Sequence, residues 1–220
     1  MRIRVPLDFF CLFCYTGFQR KSGETMQFEA LTKQQIRSVY KKHLTKDFPA
    51  DERRPLARIL KTVDNGNYEA YALTEEGQVL SYAFFLRNGS TYLLDYLATN
   101  EAHRSQGLGA AILSQASSRL TNASCILAEI EDPACAETAQ EQALRTRRQQ
   151  FYARCGFLDT GLRADTFGVR FILIELPGSE AHSAQALQKI YFDLYRTTLP
   201  ERIVRRFIKI AGETTTVHLT

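Results

Sequence analysis

Three apolar runs separated by very short turns constrain this chain more than any other feature: 68–73 (YEAYAL), 78–86 (QVLSYAFFL) and 91–99 (TYLLDYLAT). Glu75-Glu-Gly77 joins the first pair, and Asn88-Gly89, whose residues tolerate the positive φ of a tight primed turn, joins the second. Strands joined this closely run antiparallel, because parallel neighbours need a crossover of about a dozen residues. Residues 68–99 therefore predict a three-stranded antiparallel meander.

Helical patterns flank it. Thr32 and Gln35 have capping-box spacing, with Leu31 and Ile36 placed as a hydrophobic staple. Ile36, Val39, Tyr40 and Leu44 continue at helical spacing, which predicts a helix to about His43. Pro49 and Asp51 break the chain before a second helix near 52–61. After the meander, Leu108, Ile112, Ala116 and Leu120 mark one helical face, and 125–131 (CILAEIE) is a short apolar strand. A helix ending in RRQQFYARCGF, with Gly156 as its C-cap, leads to a strand at 168–176 (GVRFILIEL) that stops at Pro177-Gly178. Ala186, Ile190 and Leu194 then mark an amphipathic helix, followed by Pro200 and a basic segment holding Arg202, Arg205 and Arg206. The expected class is α+β, a mostly antiparallel sheet flanked by helices over 26–177, with a helical appendage at 178–220.

Residues 1–25 combine a basic start with an apolar middle, but Pro6 and Asp8 interrupt it and no clean cleavage site follows. Met26 opens an ordinary domain start, so 1–25 is expected to lie outside the functional fold. The five cysteines, at 11, 14, 125, 135 and 155, are odd in number and scattered, unlike a disulfide framework, which favours a reducing cytoplasmic setting. Cys11 and Cys14 have metal or redox spacing but no partner pair. A net charge of +4 is too mild to argue for nucleic acid, and no apolar run reaches the roughly 18 residues of a membrane span.

The stretch HRSQGLGAA, from His103 to Ala111, follows the meander and opens the next helix. A dinucleotide fingerprint would need a third glycine where Ile112 stands, and a P-loop would need a Gly-Lys-Ser/Thr ending. A purely structural turn explains one glycine but not two, since glycine in a helical turn costs roughly 1 kcal/mol against alanine. The remaining reading is anion recognition: Gly107 and Gly109 bare unpaired amides at the positive end of the helix dipole, and Arg104 adds a donor. A pyrophosphate fits.

Arg104-Ser-Gln-Gly107-Leu-Gly109-Ala110, after an apolar strand and before a helix, resembles the acetyl-CoA signature of the GNAT superfamily of N-acetyltransferases. Phe151-Tyr152-Ala-Arg-Cys-Gly156-Phe157 resembles that family's late helix-to-strand motif, and the two occur in the family's order. The resemblance spans roughly 26–176. It implies a GNAT-like splayed sheet and acetyl-CoA as the acetyl donor. It also implies that Arg104, Ser105, Gln106, Gly107, Leu108, Gly109 and Ala110 hold the pyrophosphate. The strand 94–99 would splay from CILAEIE, and Leu97, Ala98 and Thr99 would pair with the pantetheine arm through their backbone.

Acetyl transfer to an amine needs a base for the ammonium, donors for the oxyanion and an acid for the leaving thiolate. Tyr152, at the family's tyrosine position, is the expected acid; packing under its helix is the rival account. The backbone N–H of Leu97 or a neighbour is the expected carbonyl-polarising group. Glu129 matches a glutamate that family members use through water and ranks first as base. Asp95, a mid-strand carboxylate that must be paired or functional, ranks second. Glu131 and Asp132 are expected to meet a cationic acceptor. The family's asparagine position holds Ala134, and 132–143 reads as an insertion that forms a lid or lengthens the helix. Arg145, Arg147 and Arg148 read mainly as a solvated face. The expectation is a cytoplasmic N-acetyltransferase acting by direct transfer on a small-molecule or peptide amine, with no nucleic-acid or membrane partner and a homodimer left open. A non-catalytic acyl-CoA-binding module is the rival.

Overall fold

A computed structural model describes residues 26–211; the expectations for residues 1–25, Cys11 and Cys14 included, lie outside the described residues. The chain divides into two compact units, at residue 124/125. The architecture is mixed α+β, with eight strands among the described residues that pair antiparallel within each unit.

In the first unit, β1 (Gln27–Ala30), β2 (Tyr68–Glu75), β3 (Gln78–Asn88) and β4 (Thr91–Thr99) pair in chain order. The meander is thus present, extended by a strand the sequence pattern did not mark. Glu76 and Gly77 both take positive φ (50° and 76°) between the paired Glu75 and Gln78, as a type I′ turn requires. In the second hairpin Asn88 pairs with Thr91, so the turn residues are Gly89 and Ser90, one place later than expected. Only Gly89 takes positive φ, 59°. Leu80 to Leu86 are buried without interruption, and successive residues point to opposite faces, so both faces of β3 are covered.

The first helix begins as expected: the Thr32–Gln35 capping box is formed, and α1 covers Lys33–Val39. It does not stop at His43. A π-helical turn, Tyr40–Leu44, carries it into a short α2, Thr45–Asp47. The second helix, α3, is Leu56–Asp64 rather than 52–61. Pro55 sits at its N-cap, and proline pushes the residue before it out of the helical region. Leu108–Arg119 forms α4 and buries Leu108, Ile112, Leu113 and Ala116, the anticipated face.

The second unit pairs β5 (Cys125–Glu131) with β7 (Val169–Pro177), β7 with β6 (Leu158–Thr166), and β6 with β8 (Ile208–Ala211). The sequence pattern marked neither β6 nor β8. Charged Asp159, Arg163 and Asp165 and a register shift between Asp159 and Arg163 hide the alternation in β6. Its turn is nonetheless regular, with Phe167 and Gly168 both at positive φ. α5 (Ala139–Arg154) has its N-cap at Thr138, whose side chain accepts from the Glu141 amide, so residues 139–143 lengthen this helix. α6 (Ala184–Arg196) has the expected position but a rotated face: Leu187, Tyr191, Leu194 and Tyr195 are buried, and Ala186 and Ile190 only half-buried. The two tyrosines bury more than the small Ala186 would, and they have polar partners to reach. α7 (Glu201–Phe207) precedes β8.

Candidate active site

The turn between β4 and α4 has the geometry of an anion cradle. A 3₁₀ turn over Glu101–His103 is capped by the Asn100 side chain, which accepts from the Ala102 amide at 3.3 Å. Ser105 (φ 63°) and Gly107 (φ 78°, ψ 0°) are then both left-handed, and Gly107 is the N-cap of α4. No side chain caps this helix end, so the first-turn amides of Leu108, Gly109 and Ala110 have no intrahelical acceptor. Arg104 to Gly107 are exposed while Leu108 is buried, which anchors the helix and leaves the turn facing solvent. A Cβ on Gly107 would meet nothing within 4 Å, so glycine is demanded by φ and not by space. The Arg104 guanidinium lies 3.7 Å from Glu101, both well exposed, a pair that costs little to redirect.

Leu97, Ala98 and Thr99 lie directly upstream on β4, opposite Ala83, Tyr82 and Ser81. Ser81 Oγ donates to the Ala98 carbonyl at 2.8 Å. A bulge precedes them: Phe84 pairs with Tyr96 and Phe85 with Leu94, which leaves Asp95 as the extra residue. Its carboxylate is committed. Both oxygens accept from Arg54 Nε at 2.9 Å, and the Tyr68 hydroxyl donates at 2.5 Å. The Asp95 and Arg54 side chains are only 9% and 13% exposed, so this is a largely desolvated ion pair. Burial, then the Asp95 charge, pushes the Tyr68 phenol well up. Tyr96 accepts from the Arg54 amide at 2.7 Å and donates to the Glu52 carbonyl at 3.2 Å, so the 52–54 segment is clamped to β4.

In the second unit, Glu129 meets two phenols that the sequence did not mark as site residues. Tyr191 donates to Oε1, and Tyr195 donates to Oε2 at 2.8 Å; both come from α6. The Tyr191 hydroxyl also lies 2.6 Å from Thr166 Oγ1. Burial and the adjacent Glu129 charge drive the Tyr191 phenol well above its ordinary value, so it is a neutral donor. The four-residue spacing of Tyr191 and Tyr195 on one helical face is the only sequence signal of this clamp. It becomes specific only once α6 is in place.

Glu131 and Asp132 meet the chain's own cations. Glu131 pairs with Arg145 at 3.2 Å and with Arg148, both from α5. Asp132 caps the 3₁₀ turn Pro133–Cys135 through the Ala134 amide at 2.9 Å and lies 3.7 Å from Arg163 Nε. Arg145 also donates to the Asp132 carbonyl at 3.1 Å. These acids are neutralised internally, and two of the three arginines read as a solvated face are the partners of Glu131.

Tyr152 stands one turn after Arg148 on α5, with its ring centroid 5.1 Å from that of Phe151 and 5.3 Å from that of Phe157. Its hydroxyl makes no hydrogen bond among the described residues, and no buried polar side-chain atom there is unpaired. The oxygen therefore reaches solvent at the edge of an apolar surround. Burial raises its ionisation above the ordinary value, with Arg148 opposing, so the phenol stays protonated at neutral pH. Cys125 is no nucleophile: burial, then the neighbouring Glu175, pushes its thiol up to about 12. Among the described residues no helix is long and apolar enough to cross a membrane.

Residues 66–158 match the family model of the acetyltransferase (GNAT) domain. A Bacteroides thetaiotaomicron protein assigned as a GNAT-family acetyltransferase superposes with a TM-score of 0.61 at 21% identity, covering 77% of this chain and 96% of its own. The ribosomal-protein-S18-alanine N-acetyltransferase of Escherichia coli gives 0.51 at 20%, over 73% and 98%. The PaiA N-acetyltransferase of Thermoplasma acidophilum, solved with coenzyme A, gives 0.50 at 10%, over 70% and 99%. These likenesses show a shared fold. No curated protein matches the chain.

Proposed function

We propose, since residues 66–158 match the family model of the GNAT acetyltransferase domain, that this protein is a cytoplasmic N-acetyltransferase that moves acetyl from acetyl-CoA directly to a primary amine. One observation carries the proposal: the solvent-facing turn in which left-handed Ser105 and Gly107 deliver the uncapped amides of Leu108 to Ala110. An uncapped helix start of this kind binds phosphate through aligned N–H groups and the helix dipole, and Arg104 is placed to add a charge-assisted donor. The backbone of Leu97, Ala98 and Thr99 runs straight into that turn and is assigned to the pantetheine arm.

An alkyl ammonium holds its proton at neutral pH by roughly 4–5 kcal/mol, at about 1.36 kcal/mol per pKa unit. Glu129 is assigned to accept that proton through water. Tyr191 and Tyr195 each donate to one of its oxygens, so the clamp orients the carboxylate. The amine lone pair then attacks the thioester carbonyl, the C–S bond breaks, the departing sulfur takes the Tyr152 proton, and the extra proton on the new amide nitrogen is lost to solvent, from which the phenolate is reprotonated. A protonated phenol with no competing partner, reaching solvent from an apolar surround, suits that step. Asp95 is assigned to holding the 52–54 segment, because Arg54 and Tyr68 occupy it. The acceptor is a small-molecule or peptide amine; the internal pairing of Glu131 and Asp132 lends no support to a polycation.

The test is calorimetry with acetyl-CoA followed by an amine panel scored for CoA release. Binding plus turnover supports the proposal, and the absence of any binding heat from folded protein overturns it. The engaged state of Glu129 favours one rival, a non-catalytic acyl-CoA-binding module. That rival predicts binding heat with no turnover on any amine.

A further inference from the structure

Cys125, Glu175 and His182 converge in the second unit. Cys125 opens β5 and is fully buried, and Glu175 on β7 is 2% exposed. Glu175 pairs with Leu127, two residues from Cys125. Paired residues and residues two apart share a face, so the thiol and the carboxylate are diagonal neighbours on one side of the sheet. His182 reaches them from the segment before α6. Its Nδ1 lies 2.6 Å from Glu175 Oε1, and its backbone N–H donates to the two carboxylate oxygens at 3.4 and 3.3 Å. One ligand-type atom from each of the three residues lies within 4.8 Å of the other two.

Hydrogen bonding accounts for the histidine–glutamate contact but leaves the thiol outside it. Cys125 is in no disulfide, and no hydrogen bond reaches its sulfur among the described residues. A carboxylate at this depth is costly unless a cation compensates it. We propose that Cys125, Glu175 and His182 are the protein ligands of a divalent-metal site, and that zinc is the ion their sulfur, oxygen and nitrogen donors fit. In tetrahedral zinc coordination the donor atoms stand about 3.6 Å apart. The His182 Nδ1 and Glu175 Oε1, 2.6 Å apart, would have to separate to share an ion, and the His182 side chain, 25% exposed, is the more exposed of the two. Three protein ligands leave the fourth position to water, which enters past the same histidine. Ligation releases the thiol proton to solvent, and thiolate plus carboxylate balance the two positive charges of the ion. The site would fasten the start of α6 to β5 and β7. It stands on its own residues and does not depend on acetyl transfer.

The experiment uses the full-length protein stripped with a chelator and titrated with Zn²⁺ or Co²⁺. Wild type is expected to bind one equivalent at this site, to show a near-ultraviolet thiolate-to-cobalt band, and to melt higher as free zinc rises. Cys125→Ala removes that band. His182→Ala weakens zinc binding by at least about tenfold, since even outer-shell partners of a metal matter by 10–100-fold. His182 is partly exposed, so this variant carries the test if Cys125→Ala does not fold. Two results overturn the proposal: no cobalt band and no zinc-dependent stabilisation in wild type, or both surviving His182→Ala unchanged, which would send the ion to other cysteines.

Discussion

In the proposed reaction Tyr152 would offer one oxygen, while its ring packs against Phe151 and Phe157, so the two roles can be separated. Tyr152→Phe keeps the contacts with Phe151 and Phe157 and deletes only the proton donor. It is expected to lower kcat by about 10²–10⁴-fold with CoA affinity unchanged, read by CoA release and calorimetry. Glu129→Gln keeps the shape and still offers Tyr195 an acceptor, but it cannot take a proton. Turnover should fall about as far, with acetyl-CoA affinity unchanged, read by the same two measurements. Gly107→Ala acts differently, because the added methyl meets open space while the residue must hold φ 78°. Left-handed strain costs about 1–2 kcal/mol, so the melting temperature should drop and acetyl-CoA should bind more weakly as the turn relaxes.

At the scale of elements, β4 is a strand interrupted on purpose. The bulge at Asp95 turns its carboxylate toward Arg54 and Tyr68 and ties the approach to α3 onto the sheet. Arg54→Met leaves that carboxylate desolvated and uncompensated, and breaking a buried ion pair costs about 3–5 kcal/mol. Urea unfolding should show a loss near the lower figure, because the pair keeps some solvent contact. Adding Asp95→Asn should restore part of it, and strict additivity of the two changes would refute the pairing as the cause. α6 plays the corresponding part in the second unit, where Tyr191 and Tyr195 bring two phenols to Glu129 from one helical face.

Across the molecule, many phenols are held neutral. Burial heads the causes that raise Tyr68, Tyr71, Tyr82, Tyr92, Tyr96, Tyr152 and Tyr191 above their ordinary value. Their folded-state pKa values exceed the unfolded value near 10, so the unfolded chain gives up protons first as pH rises. The associated stability is complete below about pH 10 and is lost above it. Spectrophotometric titration at 295 nm should show only a minority of the tyrosines ionising near pH 10, and the rest together with loss of circular dichroism. Smooth titration of all of them before unfolding would contradict this burial.

The sequence by itself determined the meander, the capping box at Thr32, the helix from Leu108 and the glycine turn, because each is signalled by near neighbours in the chain. Periodicity, turn chemistry and cap spacing act locally and are written in the chain. β1, β6 and β8 were not legible, since short or charged strands take their conformation from the neighbours they pair with. The tertiary structure alone decided what each acid does: Asp95 meets Arg54 from 41 positions away, and Glu129 meets Tyr191 and Tyr195 from 62 and 66. A carboxylate's role is set by what surrounds it in space, and at such separations nothing short of the folded chain fixes those surroundings.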